Sequence, residues 1–221
     1  PFTPFRVVGR ASIVAWFLQY AVVGGAFQLI DNALSKTLGV APVYYGSDLM
    51  TPPPPARAVS PMETATVVAK TMAAPMLSSV LESGVSNRAE VSRYYGPDKL
   101  AKMEAKLNWN SLARACGPAF TPNVLRNIIV TSNTYVLTPI IYKHYMPQEH
   151  KSESSLLWFS LSMNIFLSSG VSITQQALWG RSLDHLQQSL QHTGARNIDY
   201  KAVIQHGLRT DGLAAFWTPG K

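Results

Sequence analysis

Residues 154–180 read SSLLWFSLSMNIFLSSGVSITQQALWG, a run of 27 residues without a single charge. At about 1.5 Å per residue, a helix of that length exceeds the ~20 residues that cross a bilayer. The run nevertheless carries Ser162, Asn164, Ser168, Ser169, Ser172, Thr174, Gln175 and Gln176. So polar a face is costly in lipid, and it is expected to lie against other helices that supply hydrogen-bond partners. Residues 181–191, RSLDHLQQSLQ, then form an amphipathic exit into water. Length alone also fits a buried helix of a large soluble protein; the absence of charge favours the membrane.

Composition points the same way. Charged residues make up 14% of the 221, against roughly 25% in ordinary soluble chains. Mean hydropathy is only +0.05, so water-facing segments must be a large share of the chain. The net charge of +7 is spread out rather than gathered into a Lys/Arg run, which suits anionic lipid or an acidic partner and gives no nucleic-acid signature. Cys116 is the only cysteine, which excludes an internal disulfide and a cysteine-built metal site. No signal peptide is visible, and a chain that opens on Pro1 without methionine is expected to have lost an upstream piece.

Working outward, residues 11–30 form another charge-free run, bounded by Arg10 and Asp31, with Gly24-Gly25 as a smooth patch for close helix approach. Residues 1–36 are therefore assigned to a first transmembrane helix. Residues 37–61 are a neutral loop stiffened by the four prolines 52–55, which serve better as a strap than as a ligand for a proline-recognising domain. The remainder, 62–221, is one helical membrane region with amphipathic surface helices. Its first span is interrupted by Lys70, Pro75 and Glu82; Lys70 must face protein or water, and Pro75 is expected to kink the helix. From Pro97 onward, Leu100, Met103 and Leu107 recur at helical spacing, which fits a helix on a membrane surface and equally a soluble one. Residues 121–145 are uncharged between Arg126 and Lys143.

The fold class is thus all-α, a polytopic bundle of about four transmembrane helices near 8–32, 63–88, 121–145 and 154–182. Charge orients them. The segment 86–114 and the tail from Arg181 are both net basic, and Arg6 and Arg10 precede the first span, so these lie on one side and the two neutral loops on the other.

The order of these features resembles the mitochondrial carrier family. Ser182-Leu183-Asp184-His185-Leu186-Gln187 aligns with the Pro-x-acid-x-x-base motif of that family's odd helices. Asp211-Gly212 to Trp217 aligns with its matrix-helix motif, and Phe120 to Arg126, with Tyr142 near the end, with an even helix. Pro75 marks an earlier odd helix. The departures are as informative: Ser182 replaces the proline and Gln187 the base, Leu77 and Val80 stand at acid and base positions, and in Tyr142-Lys143-His144-Tyr145-Met146 the acid of the even-helix gate is replaced by a base and its base is lost. A gate needs opposite charges that pair and part with nearly balanced energies. Four helices of a six-helix ring also leave a groove, not a closed cavity.

The resemblance implies a degenerate, non-catalytic accessory subunit of a large mitochondrial inner-membrane complex, an ATP synthase or respiratory complex, with other subunits and membrane lipids as partners. A divergent carrier of a small anionic metabolite is the alternative; a protein-import channel component is a third, counted against by few glycines in the spans. It also implies bound cardiolipin, with Arg181, Arg209, Gly212 and Trp217 as the lipid site and no other cofactor. His144, His150, His185, His192 and His206 show no metal-ligand spacing, and no nucleophilic triad or phosphate loop is present. Cys116 is expected to be an inert packed thiol.

Overall fold

Ser60 and Pro61 start the longest uninterrupted α-helix among the described residues. The Ser60 hydroxyl accepts the Glu63 amide at 3.1 Å, and Pro61 occupies a first-turn position whose missing N–H costs nothing. The computed structural model describes residues 10–55, 60–107, 116–193 and 197–217, with backbone alone at 10–20, 169, 171 and 172. Pro1 and Arg6, which entered the sequence reading, and residues 108–114 of its basic segment lie outside the described residues.

Four long helical rods dominate. Helix α1 spans Arg10–Leu38 and α2 spans Pro61–Tyr95. Rod α4 joins Phe120–Ser132 and Thr138–Tyr145 through a π-helical stretch, Asn133–Leu137. Rod α5 joins Glu153–Met163 and Gly170–His192 through a second π-helical stretch, Asn164–Ser169. The short helices α3 (Pro97–Leu107) and α6 (Tyr200–Asp211) complete the set, and no strand occurs among the described residues. The protein is all-α. The rods run up, down, up and down, so the 39–60 and 146–152 connections share one end, where Gln148 donates to the Met50 carbonyl at 2.6 Å.

Local chemistry fixes the boundaries. Gly96, at φ +84°, closes α2, and Pro97 opens α3 without delay. Ser152 and Ser155 form a reciprocal capping box at the start of α5. Pro75 does not end α2: the backbone stays helical through it, and the Ser78 hydroxyl donates to the Pro75 carbonyl at 3.1 Å.

The apolar clusters occupy the two ends of the bundle. Phe27, Val43, Ala74 and Val136 pack toward the proline loop, while Val91, Leu100, Ala119, Trp179 and Leu183 pack at the other end. Helix α3 turns Met103 and Leu107 onto Leu186 and Leu190 of α5. Its apolar stripe is therefore covered by protein, and the membrane-surface reading of that helix gives way to a packed one.

Between these clusters the interior is polar, and the outer faces of the rods are apolar. Ser79, Ser83, Asn87, Asn123 and Thr131 are buried, while Leu29, Met62, Val85, Trp158 and Phe166 are each more than 60% exposed. By length and hydropathy alone, α2 passes as a membrane span among the described residues, and α5 passes as a pair bent by 46°. Only 28% of the apolar stretch of α2 is buried, whereas a core helix of a soluble protein is mostly buried.

Candidate functional site: a polar groove between the rods

Helix α2 carries Ser79, Glu82, Ser83, Ser86, Asn87 and Glu90 at spacings of three and one, which puts them on one face. That face meets Asn123, Arg126 and Asn127 of α4. Arg126 forks onto both oxygens of Glu90 at 3.0 Å each and reaches the Gln176 side chain of α5 at 2.8 Å. Two parallel bonds in this fork geometry are the strong form of an ion pair. The Glu82 carboxylate accepts from Ser86 at 2.7 Å, from Ser83 at 3.3 Å and from Asn127.

Asn87 is the hub beneath them. It donates to the carbonyls of Cys116 and Pro118 at 2.9 and 2.8 Å, and accepts from Asn123 at 2.7 Å and from the Trp179 indole at 3.0 Å. Its full hydrogen-bonding capacity is spent joining α2, α4, α5 and the 116–119 turn. That turn comes close because Gly117, at φ +77°, has no Cβ; one there would stand 3.0 Å from the Arg88 Cα.

Above this network a groove of about 840 Å³ opens between the rods. Arg93, Tyr94, Arg126, Gln176 and Trp179 line it together with Val23, Val130, Tyr135 and Ile173. Where α4 meets α5 at its far end, the two π-helical stretches face each other: Asn133 donates to Ser168 at 2.7 Å and Thr134 to Asn164 at 2.6 Å.

The residues singled out from the sequence scatter. Of the carrier-motif set, only Arg126 lines the groove. Pro75 is buried within α2. Tyr142, fully buried, ties the end of α4 to the capping box of α5, pairing with Ser155 at 2.6 Å and accepting from the Ser152 amide at 3.2 Å. Asp184 accepts from the Tyr95 hydroxyl of α2, Gln187 is half-buried, and Leu77 and Val80 are exposed. Lys143 is bound into the proline loop through Asp48 and Thr51.

The lipid set is spread over α5, α6 and the turn after it. Gly212 sits at the C-terminal end of α6, φ +58°, ahead of a five-residue 3-10 turn, Gly212–Phe216. The carbonyl end of a helix is the end that disfavours anions. Arg181 is held by Asp211 at 2.6 Å and the Ala215 carbonyl at 3.1 Å. Arg209 and Trp217 are exposed, and Trp217 makes an edge contact with Phe216. Arg181, Asp184, His185, His206 and Asp211 line a separate 230 Å³ cavity between α5 and α6. Cys116 is half-buried and free, and among the described residues no cluster of three or more His, Cys, Asp or Glu could hold a metal ion.

Sequence reasoning missed Glu90, Arg93, Asn87 and Trp179. The signal was present: the polar residues of α2 recur at helical period inside an apolar helix, which marks an inward face. A scan against models of known families, a search of curated proteins and a search of solved structures find no match to this chain.

Proposed function

We propose that this chain is a non-catalytic, membrane-embedded helical subunit whose outer faces are covered by lipid and by neighbouring subunits. The observation that carries the reading is the inversion of its two surfaces: a hydrogen-bonded polar interior and an apolar exterior on rods of membrane-spanning length. In water such a distribution would leave large apolar patches exposed, whereas in lipid it satisfies both solvents. The alternating direction of the rods puts both of their outer ends on one side, in keeping with four spans.

The host is proposed as a large complex of the mitochondrial inner membrane, an ATP synthase or respiratory complex, on the strength of the carrier-like motifs. A structural rather than transporting role is supported by the fate of the gate positions. Asp184 is matched by a tyrosine instead of a base, and Leu77 and Val80 project outward. The test is gentle solubilisation of the native membrane followed by native electrophoresis. Migration of the chain with a megadalton assembly is expected; migration as a monomer that alkaline carbonate also extracts would refute the reading.

The groove favours a second reading, a divergent carrier of a small anionic metabolite, because Arg93 and Arg126 both line it. Exchange by the reconstituted protein separates the two.

A further inference from the structure

The chain leaves the bundle along α5 and then comes back to it. Arg181 is the first charge after the uncharged run 154–180. Its neighbours fix its level: the Trp179 indole donates to Asn87, and Asp184 accepts from the Tyr95 hydroxyl. Arg181 therefore lies beside the stretch of α2 between Asn87 and Tyr95. That stretch carries Arg88 and Arg93, both exposed. Charge begins at one level on two rods, which in the membrane reading above marks the edge of the hydrocarbon core.

Helix α6 packs back on α5 with its C-terminal end at this edge. Arg181 holds Asp211 at 2.6 Å and, at 3.1 Å, the Ala215 carbonyl in the turn that follows α6. Gly207 lets helix and turn close on each other: a Cβ there would stand 3.2 Å from that of Ala215 and 3.7 Å from the Arg181 Cδ. Pinned at that level, the turn Gly212–Phe216 and the residue after it divide their side chains. Ala215 is buried and Phe216 half-buried, whereas Leu213 is 71% and Trp217 58% exposed. Lys201, Gln205, Arg209 and Thr210 are exposed on α6 itself, so the helix suits water and the turn below it does not. A bare leucine and tryptophan at the level where charges start have the composition and the place of a membrane-interface contact.

We propose that this turn anchors the C-terminal region in the headgroup layer of the bilayer, with Leu213 and Trp217 entering the lipid. The anchor rests on the membrane reading, and the test separates the two. The full chain with Cys116→Ser is reconstituted into phosphatidylcholine vesicles, and one nitroxide is attached per protein at Leu213→Cys, Trp217→Cys, Leu81→Cys or Lys201→Cys. Leu81, 57% exposed on the outer face of α2, is the lipid reference, and exposed Lys201 is the water reference. Collision of the label with oxygen, which partitions into lipid, is compared with collision with a water-soluble nickel chelate. Labels at Leu213 and Trp217 should favour oxygen more than at Lys201 and no more than at Leu81. A balance equal to that at Lys201, with Leu81 reading as lipid, would overturn the anchor alone. A label at Leu81 that also reads as water would overturn the membrane reading and the anchor together. Immobile labels shielded from both reagents would overturn the lipid assignment and place a protein surface on the turn. The two turn positions report independently, and matching circular dichroism spectra confirm that the labelled proteins are folded.

Discussion

The Lys70 ammonium and the Asp31 carboxylate meet at 2.5 Å, with 2% and 0% of their side chains exposed. Neither is stranded. Asp31 also accepts the Val43 amide and the Tyr45 hydroxyl, each at 2.9 Å, and Lys70 donates to the Ala41 carbonyl at 3.1 Å. One ion pair therefore clasps α1, α2 and the loop between them. Removing either member leaves a buried charge, so Asp31→Ala and Lys70→Ala should each cost about 3–5 kcal/mol. Asp31→Asn with Lys70→Met should recover much of that. Unfolding in detergent micelles measures it; a double variant no better than the singles would contradict this account of the pair.

Tyr45 adds a pH dependence at the same clasp. Burial, then the hydrogen bond and charge of Asp31, push its hydroxyl above the ordinary value of 10.0. The unfolded chain ionises near pH 10 while the folded one resists. The stability this residue contributes is therefore complete below about pH 10 and is lost as pH rises further. The melting-temperature advantage of wild type over Tyr45→Phe should hold at pH 8 and shrink by pH 11. An advantage constant across that range would refute the assignment.

Asn87 and Trp179 should behave as a coupled pair. Asn87→Ala strands the indole N–H and the Asn123 amide, each worth about 1–3 kcal/mol when unsatisfied. Once Trp179→Phe has removed one of those donors, Asn87→Ala should cost less. A double-mutant cycle is expected to show coupling of about 0.5–3 kcal/mol, and strict additivity would argue against the hub.

The glycines with positive φ are not equivalent. Gly117→Ala meets the Arg88 backbone at 3.0 Å as well as paying for its φ of +77°, whereas Gly96→Ala, at φ +84°, finds open space. Backbone strain alone is about 1–3 kcal/mol. Gly117→Ala should lower the melting temperature well beyond Gly96→Ala, which differential scanning fluorimetry can rank.

Transport should be absent. Liposomes containing the protein are expected to exchange nucleotide, phosphate or carboxylate no faster than empty ones. Saturable, inhibitor-sensitive exchange would instead support the carrier alternative.

Much of the architecture was legible because uncharged length is a strong signal. Residues 154–180 and 11–30 lie within rods, and the spacing of Leu100, Met103 and Leu107 marks the buried face of α3. The partner of that face was not legible: Leu186 and Leu190 lie some eighty residues away in sequence, and an amphipathic stripe looks the same against lipid as against protein. Lys70 could be read as needing a partner, but Asp31 sat unremarked at the end of a charge-free run. The groove escaped because attention to apolar runs treats Glu82 as an interruption. On α2 it belongs to an ordered polar face that begins at Ser79 and ends at Glu90.

The two π-helical stretches carry a consequence for how the chain can change. A π turn accommodates one more residue than the α-helix around it, and one residue corresponds to about 100° of rotation. Asn133–Leu137 and Asn164–Ser169 therefore act as a matched pair of single-residue insertions at one level of neighbouring rods. Deleting a residue from either alone would turn the half of that rod beyond the deletion and separate Asn133 from Ser168. Because each rod turns about its own axis, a second deletion in the neighbouring rod would not bring the two faces back together, so this one contact fixes the length of both stretches.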